Sequence, residues 1–318
     1  MTVSRVINSP DVVSASTRDA VLHAMDELGY VPNRAARSLV VRRLGVIALV
    51  LPDLSNPFFS DMARAVEVSA RDRELTVTLG NAAEDVRLEH DYVRTVGSLR
   101  VDGVLLAPVG DPSRPSIELL DRLGIPVVLI DRKVRGVERD VVRGESLQAS
   151  IDLTTHVIEH GHRRVGMVAG PRHATTARDR VVGWRRALRQ RGVDASKDLV
   201  RYADYTRAGG REAGRSLLCS PDPPTAIFAG NNFLAFGVLD AASELGLRVP
   251  DDLALVTFDD AEVTPTEPLL TCADQPAAEI GRTAARLLLE RMEDPSLPPR
   301  EFVLPSEIRL RRSCGCTR

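Results

Sequence analysis

The 318-residue sequence has no apolar run approaching the roughly twenty residues that span a bilayer, and no charged-then-apolar leader. A membrane-embedded or exported protein is therefore not expected; a cytoplasmic location is. Cysteine is sparse: Cys219 and Cys272 are isolated, and Cys314 and Cys316 lie in the tail, too few and too scattered for a disulfide framework. An excess of charge of one sign is also lacking. A net charge of −2 is not that of a protein gripping nucleic acid over its whole surface. With 43% hydrophobic and 27% charged residues, nothing reads as fibrous or disordered, and the length suits two domains or slightly more.

Enzymatic signatures are missing as well. Gly209-Gly210 with Gly214 has neither the lysine of a phosphate loop nor the spacing of a dinucleotide turn. Asp259 and Asp260 are adjacent, so their side chains tend to point apart rather than work as an acid/base pair. His156, Glu159, His160 and His162 crowd one helix end, and His156 with His160 at i, i+4 could share a metal. Their order is not that of a zinc protease helix and no third ligand is evident, so they read as solvated helix residues. Cys314-Gly315-Cys316 could also hold a metal or form a redox pair, but it has no matching second pair and reads as a free, partly exposed terminus. No Ser/His/Asp set stands out. The expectation is a protein that is not an enzyme, with no cofactor.

What is present begins at the N-terminus. Val3, Val6 and Ile7 place one apolar face on a two-turn helix over Thr2 to Asn8, and such a short helix is unstable in water without a neighbour. After the Ser9-Pro10-Asp11 turn, Ser14 or Ser16 can cap a helix running through Ala20, Val21, Ala24, Met25 and Leu28, with a buried apolar face and a stop at Gly29. Pro32 and Asn33 can start a further short helix that projects Leu39 beside Arg34 and Arg37. Residues 1–43 carry a net +2 and the remainder −4, so any attraction for phosphate belongs to the N-terminal end.

Three stretches, Thr2-Val3-Ser4-Arg5-Val6-Ile7-Asn8, Leu28-Gly29-Tyr30-Val31-Pro32-Asn33 and Ala36-Arg37-Ser38-Leu39, resemble the LacI/GalR family of bacterial transcriptional regulators. The resemblance implies a helix-turn-helix headpiece whose recognition helix contacts DNA through Thr2, Ser4, Arg5 and Asn8. It also implies a hinge helix with Asn33, Arg34, Arg37 and Leu39, the leucine acting as an apolar wedge in the minor groove. The helix that precedes the recognition helix in that family has no residues here, so a partial headpiece and weak operator binding are expected.

From Leu44 the chain alternates short apolar runs with helix-length stretches. Leu44 to Leu51, Leu75 to Leu79, Gly103 to Ala107 and Val127 to Ile130 read as strands buried on both faces, and the pattern restarts with Val165 to Ala169, Thr225 to Ala229 and Leu253 to Phe258. Helices are predicted near Thr175 to Arg191, Thr206 to Leu218 and Phe233 to Leu245. The fold class is α/β, with two doubly wound parallel-sheet lobes and a ligand cleft at the carboxyl ends of their strands. Pro52-Asp53-Leu54-Ser55-Asn56-Pro57-Phe58-Phe59, Gly161-His162-Arg163-Arg164, Arg180 with Gly183-Trp184, Ala229-Gly230-Asn231, Phe258-Asp259-Asp260 and Gln275-Pro276 extend the resemblance over nearly the whole chain.

That resemblance implies a core similar to periplasmic sugar-binding proteins, with Arg180 and Asp259 as principal ligand contacts and Asn231, Gln275, Phe58, Phe59, Asp131 and Glu145 in support. An arginine fork, carboxylates and an aromatic face suit a carbohydrate, with a purine-like ligand also compatible. Two positions depart from the family pattern: Glu145-Ser146 stands where Asp-Asn is usual, and Asn232 replaces an aspartate. Read without the family, Arg180 would be a surface arginine paired with Asp179, and Asp259 a turn residue. The expected organisation is a headpiece over 1–30, a hinge over 31–43, a first lobe from 44–143 and 272–300, and a second lobe from 144–271 and 301–318. The reading is an effector-responsive repressor that binds operator DNA as a homodimer. The alternatives are a cytoplasmic ligand-binding protein without specific DNA binding and a transport solute-binding protein.

Overall fold

The computed structural model describes residues 2–8, 10–30, 44–260 and 270–316. From residue 44 onward it consists of two six-stranded sheets. The first contains β1 Val46–Leu51, β2 Thr76–Asn81, β3 Gly103–Leu106, β4 Val127–Ile130, β5 Asp140–Gly144 and β11 Glu301–Leu304, in the order β2-β1-β3-β4-β5-β11. The second contains β6 Val165–Ala169, β7 Val200–Tyr202, β8 Ala226–Ala229, β9 Ala254–Phe258, β10 Thr271–Asp274 and β12 Glu307–Arg309, in the order β7-β6-β8-β9-β10-β12. Every pairing is parallel except β10 with β12.

A parallel sheet must be covered on both faces, and the apolar runs supply side chains in both directions. In the first lobe one face packs against helices Pro57–Arg71 and Ala277–Glu293, through residues such as Met62, Val66, Ile280 and Leu287. Helices Val86–Leu99 and Arg114–Arg122 cover the other through Val93, Val96, Ile117 and Leu120. In the second lobe helices Leu147–Glu159 and Thr175–Gln190 cover one face around the fully buried Trp184, and helices Arg207–Leu218 and Asn232–Glu244 cover the other. The predicted two-lobed α/β core is therefore what the chain forms.

The final strands fall differently from the sequence-based boundaries. Thr271–Asp274, divided by the boundary at 272, is bonded to β9 in the second sheet, and Glu301–Leu304, assigned to the second lobe, pairs with β5 in the first. The chain crosses between sheets three times, at 145–146, 275–276 and 305–306, and the crossings lie together. The Glu145 amide donates to Leu304 O (2.8 Å), Ser306 Oγ donates to Glu145 O (2.8 Å), and a side chain at Gly144 would run into Gln275.

Where the first lobe begins, the backbone is fixed by one residue. The Asp102 carboxylate accepts from the amides of Leu44 (2.8 Å), Gly45 (2.6 Å) and Val46 (3.1 Å). At the N-terminal end, helix Thr2–Asn8 contacts the 3-10 turn Pro10–Val12 and helix Ala15–Glu27, which Ser14 caps through Thr17 N. Val6 is buried, whereas Val3, Leu22 and Leu28 are exposed. The expected buried face of the second helix is thus a correction: none of its residues is buried, because among the described residues only the short helix Thr2–Asn8 and the turn beside it lie near it, too little to cover a whole face.

Helices Arg207–Leu218 and Asn232–Glu244 meet backbone to backbone. A Cβ at Gly237 would lie 2.2 Å from Arg207 O, and one at Gly210 would lie 2.4 Å from Leu234 O. These are atoms that cannot rotate away, so an added methyl must push the helices apart. Gly237→Ala is expected to lower unfolding free energy by about 1–3 kcal/mol, read from urea denaturation as a lower midpoint at unchanged slope.

Candidate functional site

The fourth strand of each lobe ends in the same way. β4 runs into Asp131 and β9 into Asp259, and both aspartates adopt left-handed backbone, with φ of 61° and 64°. Each amide still donates to the adjoining strand, Asp131 N to Val142 O and Asp259 N to Ala273 O, both at 2.9 Å. Left-handed backbone is disfavoured for residues with a Cβ, least so for Asn and Asp, and persists where the surroundings impose it. Both side chains lie in the cleft between the lobes.

Both carboxyls are buried, and burial raises each above the ordinary carboxylate range; the nearby arginines pull the other way without cancelling it. Arg132, 3% exposed, donates to Glu84 with both terminal nitrogens (2.8 and 2.7 Å) and to Val109 O (3.0 Å), while its Nε lies 3.4 Å from Asp131 Oδ2 as an ion pair without a directed hydrogen bond. Arg180, equally buried, donates to Gly230 O and spreads its guanidinium 3.9 Å from the centre of the Phe258 ring. Among the described residues its Nε has no hydrogen-bond partner. Gln275 donates to Asp259 Oδ1 at 2.7 Å, and its own Oε1 has no hydrogen-bond partner among the described residues. Unbonded buried polar atoms are costly in a fold and useful in a recognition site.

Local helix chemistry sets the apolar walls. Asn56 caps helix Pro57–Arg71 by accepting from Phe58 N (3.1 Å), and Pro57 occupies the first turn, where its missing N–H costs nothing. This start presents Phe58 and Phe59 to the cleft, edge to face at 5.0 Å. Asn56 and Asn232 exchange amide hydrogen bonds across the lobes at 3.1 and 3.2 Å. An aspartate at 232 could accept from Asn56 but not donate back, so the departure noted in the sequence completes a reciprocal bridge.

Phe58, Phe59, Asp131, Arg180, Asn231, Asp259 and Gln275 line one cleft. Glu145 does not join them. Its carboxylate accepts from Leu147 N (2.9 Å) and Ala149 N (2.8 Å), so it caps helix Leu147–Glu159 instead. The longer side chain reaches back to the helix amides, which corrects its expected place at the ligand. Arg180 is not paired with Asp179, whose partner is Arg143 at 3.5 Å. Arg132 was legible from its position beside Asp131 at a strand end; sequence reasoning missed Glu84, Thr176 and Tyr205 as lining residues.

As the lobes stand, the cleft retains about 20 Å³, room for roughly one water. A void of about 940 Å³ adjoins it, sharing Asp53, Tyr205 and Phe233, but is walled mainly by helix Asn232–Glu244 and the turn 246–249 that follows it. The smaller space is the better candidate because buried charges of both signs converge there. Thr2 and Arg5 are exposed on helix Thr2–Asn8, which also carries Ser4 and Asn8; Asn33, Arg34, Arg37 and Leu39 lie outside the described residues.

Comparison with known proteins agrees at both ends of the chain. Residues 1–33 match the family described as bacterial regulatory proteins, lacI family, and residues 154–314 match a periplasmic binding protein-like domain. The HTH-type transcriptional repressor CytR of Escherichia coli (strain K12) is 33% identical over 98% of this chain and 92% of its own length. The HTH-type transcriptional regulator CelR of Thermobifida fusca is 36% identical over 98% and 94%. Among solved structures, a CelR-cellobiose complex superposes with a TM-score of 0.79 at 33% identity, covering 98% of this chain and 94% of that one. A LacI family regulator from Enterococcus faecium with bound ribose gives 0.75 at 28% identity over 84% and 98%.

Because its carboxyl is raised by burial, folded Asp259 holds its proton more tightly than the unfolded chain does. That stabilisation is fully present below the unfolded carboxylate range and is lost as pH rises through the folded value. Asp259→Asn keeps the left-handed backbone and removes the charge, so the variant should be more stable than the parent at neutral pH. The difference should fade toward acid pH, as read from thermal midpoints across a pH series.

Proposed function

Because the chain belongs to the lacI family of bacterial regulatory proteins, we propose that it is a transcriptional repressor whose hold on operator DNA is set by a small polyhydroxylated ligand, a sugar, bound between its lobes. The observation that carries this reading is the convergence of Asp131, Arg132, Arg180 and Asp259 in one buried inter-lobe cleft. A sugar ring offers neighbouring hydroxyls that donate to a carboxylate and accept from a guanidinium, and an apolar face that rests on an aromatic ring. Phe58 or Phe59 supplies the ring. The ligand takes over the partners that Arg180 and Asp259 now find in Gly230 O and Gln275, and satisfies Arg180 Nε and Gln275 Oε1.

A sugar needs far more room than the closed cleft offers, so uptake requires the lobes to part and close again at a new angle. Asn56 with Asn232, and Asp111 with Arg178 (2.7 Å), are the contacts that such a motion exchanges. Asp102 ties the start of the first lobe to residues 44–46, so rotation of that lobe is delivered directly to the chain that precedes it. In a homodimer the two preceding segments then move relative to each other. Thr2, Ser4, Arg5 and Asn8 on the first helix, with Asn33, Arg34, Arg37 and Leu39 in the linking segment, would make the DNA contacts. A ligand changes operator affinity by no more than its preference for one lobe arrangement over the other. The protein acts in the cytoplasm, and no helix among the described residues is long and apolar enough to cross a membrane.

The relatives bound to cellobiose and ribose suggest a panel of mono- and disaccharides for calorimetric titration of the full chain. Asp259→Ala and Arg180→Lys should each weaken the sugar that binds by about 10- to 150-fold, since a hydrogen bond to a charged group contributes roughly 1.5–3 kcal/mol. Circular dichroism should show both variants folded. Undiminished affinity in Asp259→Ala would overturn the site, and a bound sugar that leaves operator affinity unchanged would overturn the regulatory reading.

A further inference from the structure

Two features that look inert in the sequence meet in the fold. The Cys-Gly-Cys stretch is not a free end: Cys314 is 1% exposed and belongs to the core of the second lobe, packed with Trp184 and Phe258. Ser313 anchors it by accepting from Thr271 N (2.8 Å) and donating to Leu255 O (2.6 Å). This lays the segment after β12 against helix Leu147–Glu159, where His156 waits near the C-terminal end. His156 Nε2 lies 3.3 Å from Cys314 Sγ, and Cys314 Sγ lies 2.7 Å from Cys316 Sγ. The partners that His156 lacks in its own stretch of sequence come from a chain segment more than 150 residues away.

We propose that His156, Cys314 and Cys316 form a binding site for a thiophilic d10 cation, with Zn²⁺ as its reference ion. One imidazole nitrogen and two sulfurs within 4.8 Å of one another are a donor set selective for zinc over hard cations. In a tetrahedral site with Zn–S near 2.3 Å the sulfurs stand about 3.7 Å apart, so they must separate by about 1 Å. Half-buried Cys316, next to a glycine at φ 80°, has the freedom to do this. Thr271 Oγ1, 3.1 Å from Cys314 Sγ, supplies the outer hydrogen bond that a zinc-bound thiolate usually accepts. His160 stays outside the set: its Nδ1 is bonded to the His156 carbonyl at 2.8 Å and its ring packs on that of His156 at 4.3 Å. Three protein ligands leave the fourth position to water or an added ligand. The ion would staple the tail to a helix that starts at an inter-lobe crossing.

The full chain, reduced and stripped by chelator, is titrated with Co²⁺ and Zn²⁺. The expected result is one equivalent of Co²⁺ with sulfur-to-metal charge-transfer bands and tetrahedral d–d bands, displaced by Zn²⁺, and a higher thermal midpoint with metal. His156→Ala and Cys316→Ser, both at half-buried positions, should reduce affinity beyond the roughly 10- to 100-fold loss typical of an outer-sphere change. Exposed Cys219→Ser should leave binding intact. Absence of charge-transfer bands, or bands whose intensity and affinity are unchanged in Cys316→Ser or that vanish with Cys219→Ser, would overturn the proposal. So would reduced protein that ignores both ions and, in air, closes a Cys314–Cys316 disulfide.

Discussion

Four charges meet at the centre of this molecule in a space that water scarcely enters. Asp131 and Asp259 come from opposite lobes, Arg132 and Arg180 lie beside them, and each is at most 5% exposed. A lone buried charge would cost several kcal/mol. Grouped, the charges attract across the lobes, and Glu84, Gly230 O, the Phe258 ring and Gln275 fix where each can point. The burial that makes the set expensive also makes it discriminating, because Coulomb attraction strengthens as solvent leaves. The raised carboxyls show that the compensation is incomplete. A site with residual cost gains more from a partner that completes it than a fully satisfied one does.

Much of this architecture could be read from the sequence, for a physical reason. Strands such as Val46–Leu51 and Val165–Ala169 are apolar on both faces, and that pattern has few interpretations besides a parallel sheet between helices. The strands that escaped notice, β5, β7, β10, β11 and β12, are three to five residues long and mix apolar with charged positions. They exist because a neighbouring edge offers hydrogen bonds, which local sequence does not encode. The same divide runs through the site. Arg180, Asp259 and Gln275 stood within recognisable motifs, whereas Glu84 reaches Arg132 across 48 positions and Tyr205 comes from the loop after β7. Glu145 misled because its type suggested a ligand contact while its length suited a helix cap.

His156, Cys314 and Cys316 teach the same lesson from the other side. Taken separately, a histidine pair on a helix and a cysteine pair in a tail are most simply read as solvated residues. Packing of the tail on the second sheet removes that reading by burying Cys314 and bringing His156 within 3.3 Å. Proximity created by the fold, rather than spacing along the chain, assembles the donor set.

The interleaving of the last strands reaches beyond the folded state. β5 at the inner end of the first sheet waits for β11, about 160 residues later, and helix Ala277–Glu293 covers a face of that same sheet. The ribosome delivers these pieces after nearly the whole of the second lobe. The first lobe therefore cannot close while its own early residues are the only ones synthesised, and the usual order in which an N-terminal unit matures first does not hold. Both halves reach their final form together, once residues 301–309 have left the exit tunnel, and until then an apolar sheet edge and face wait in the growing chain.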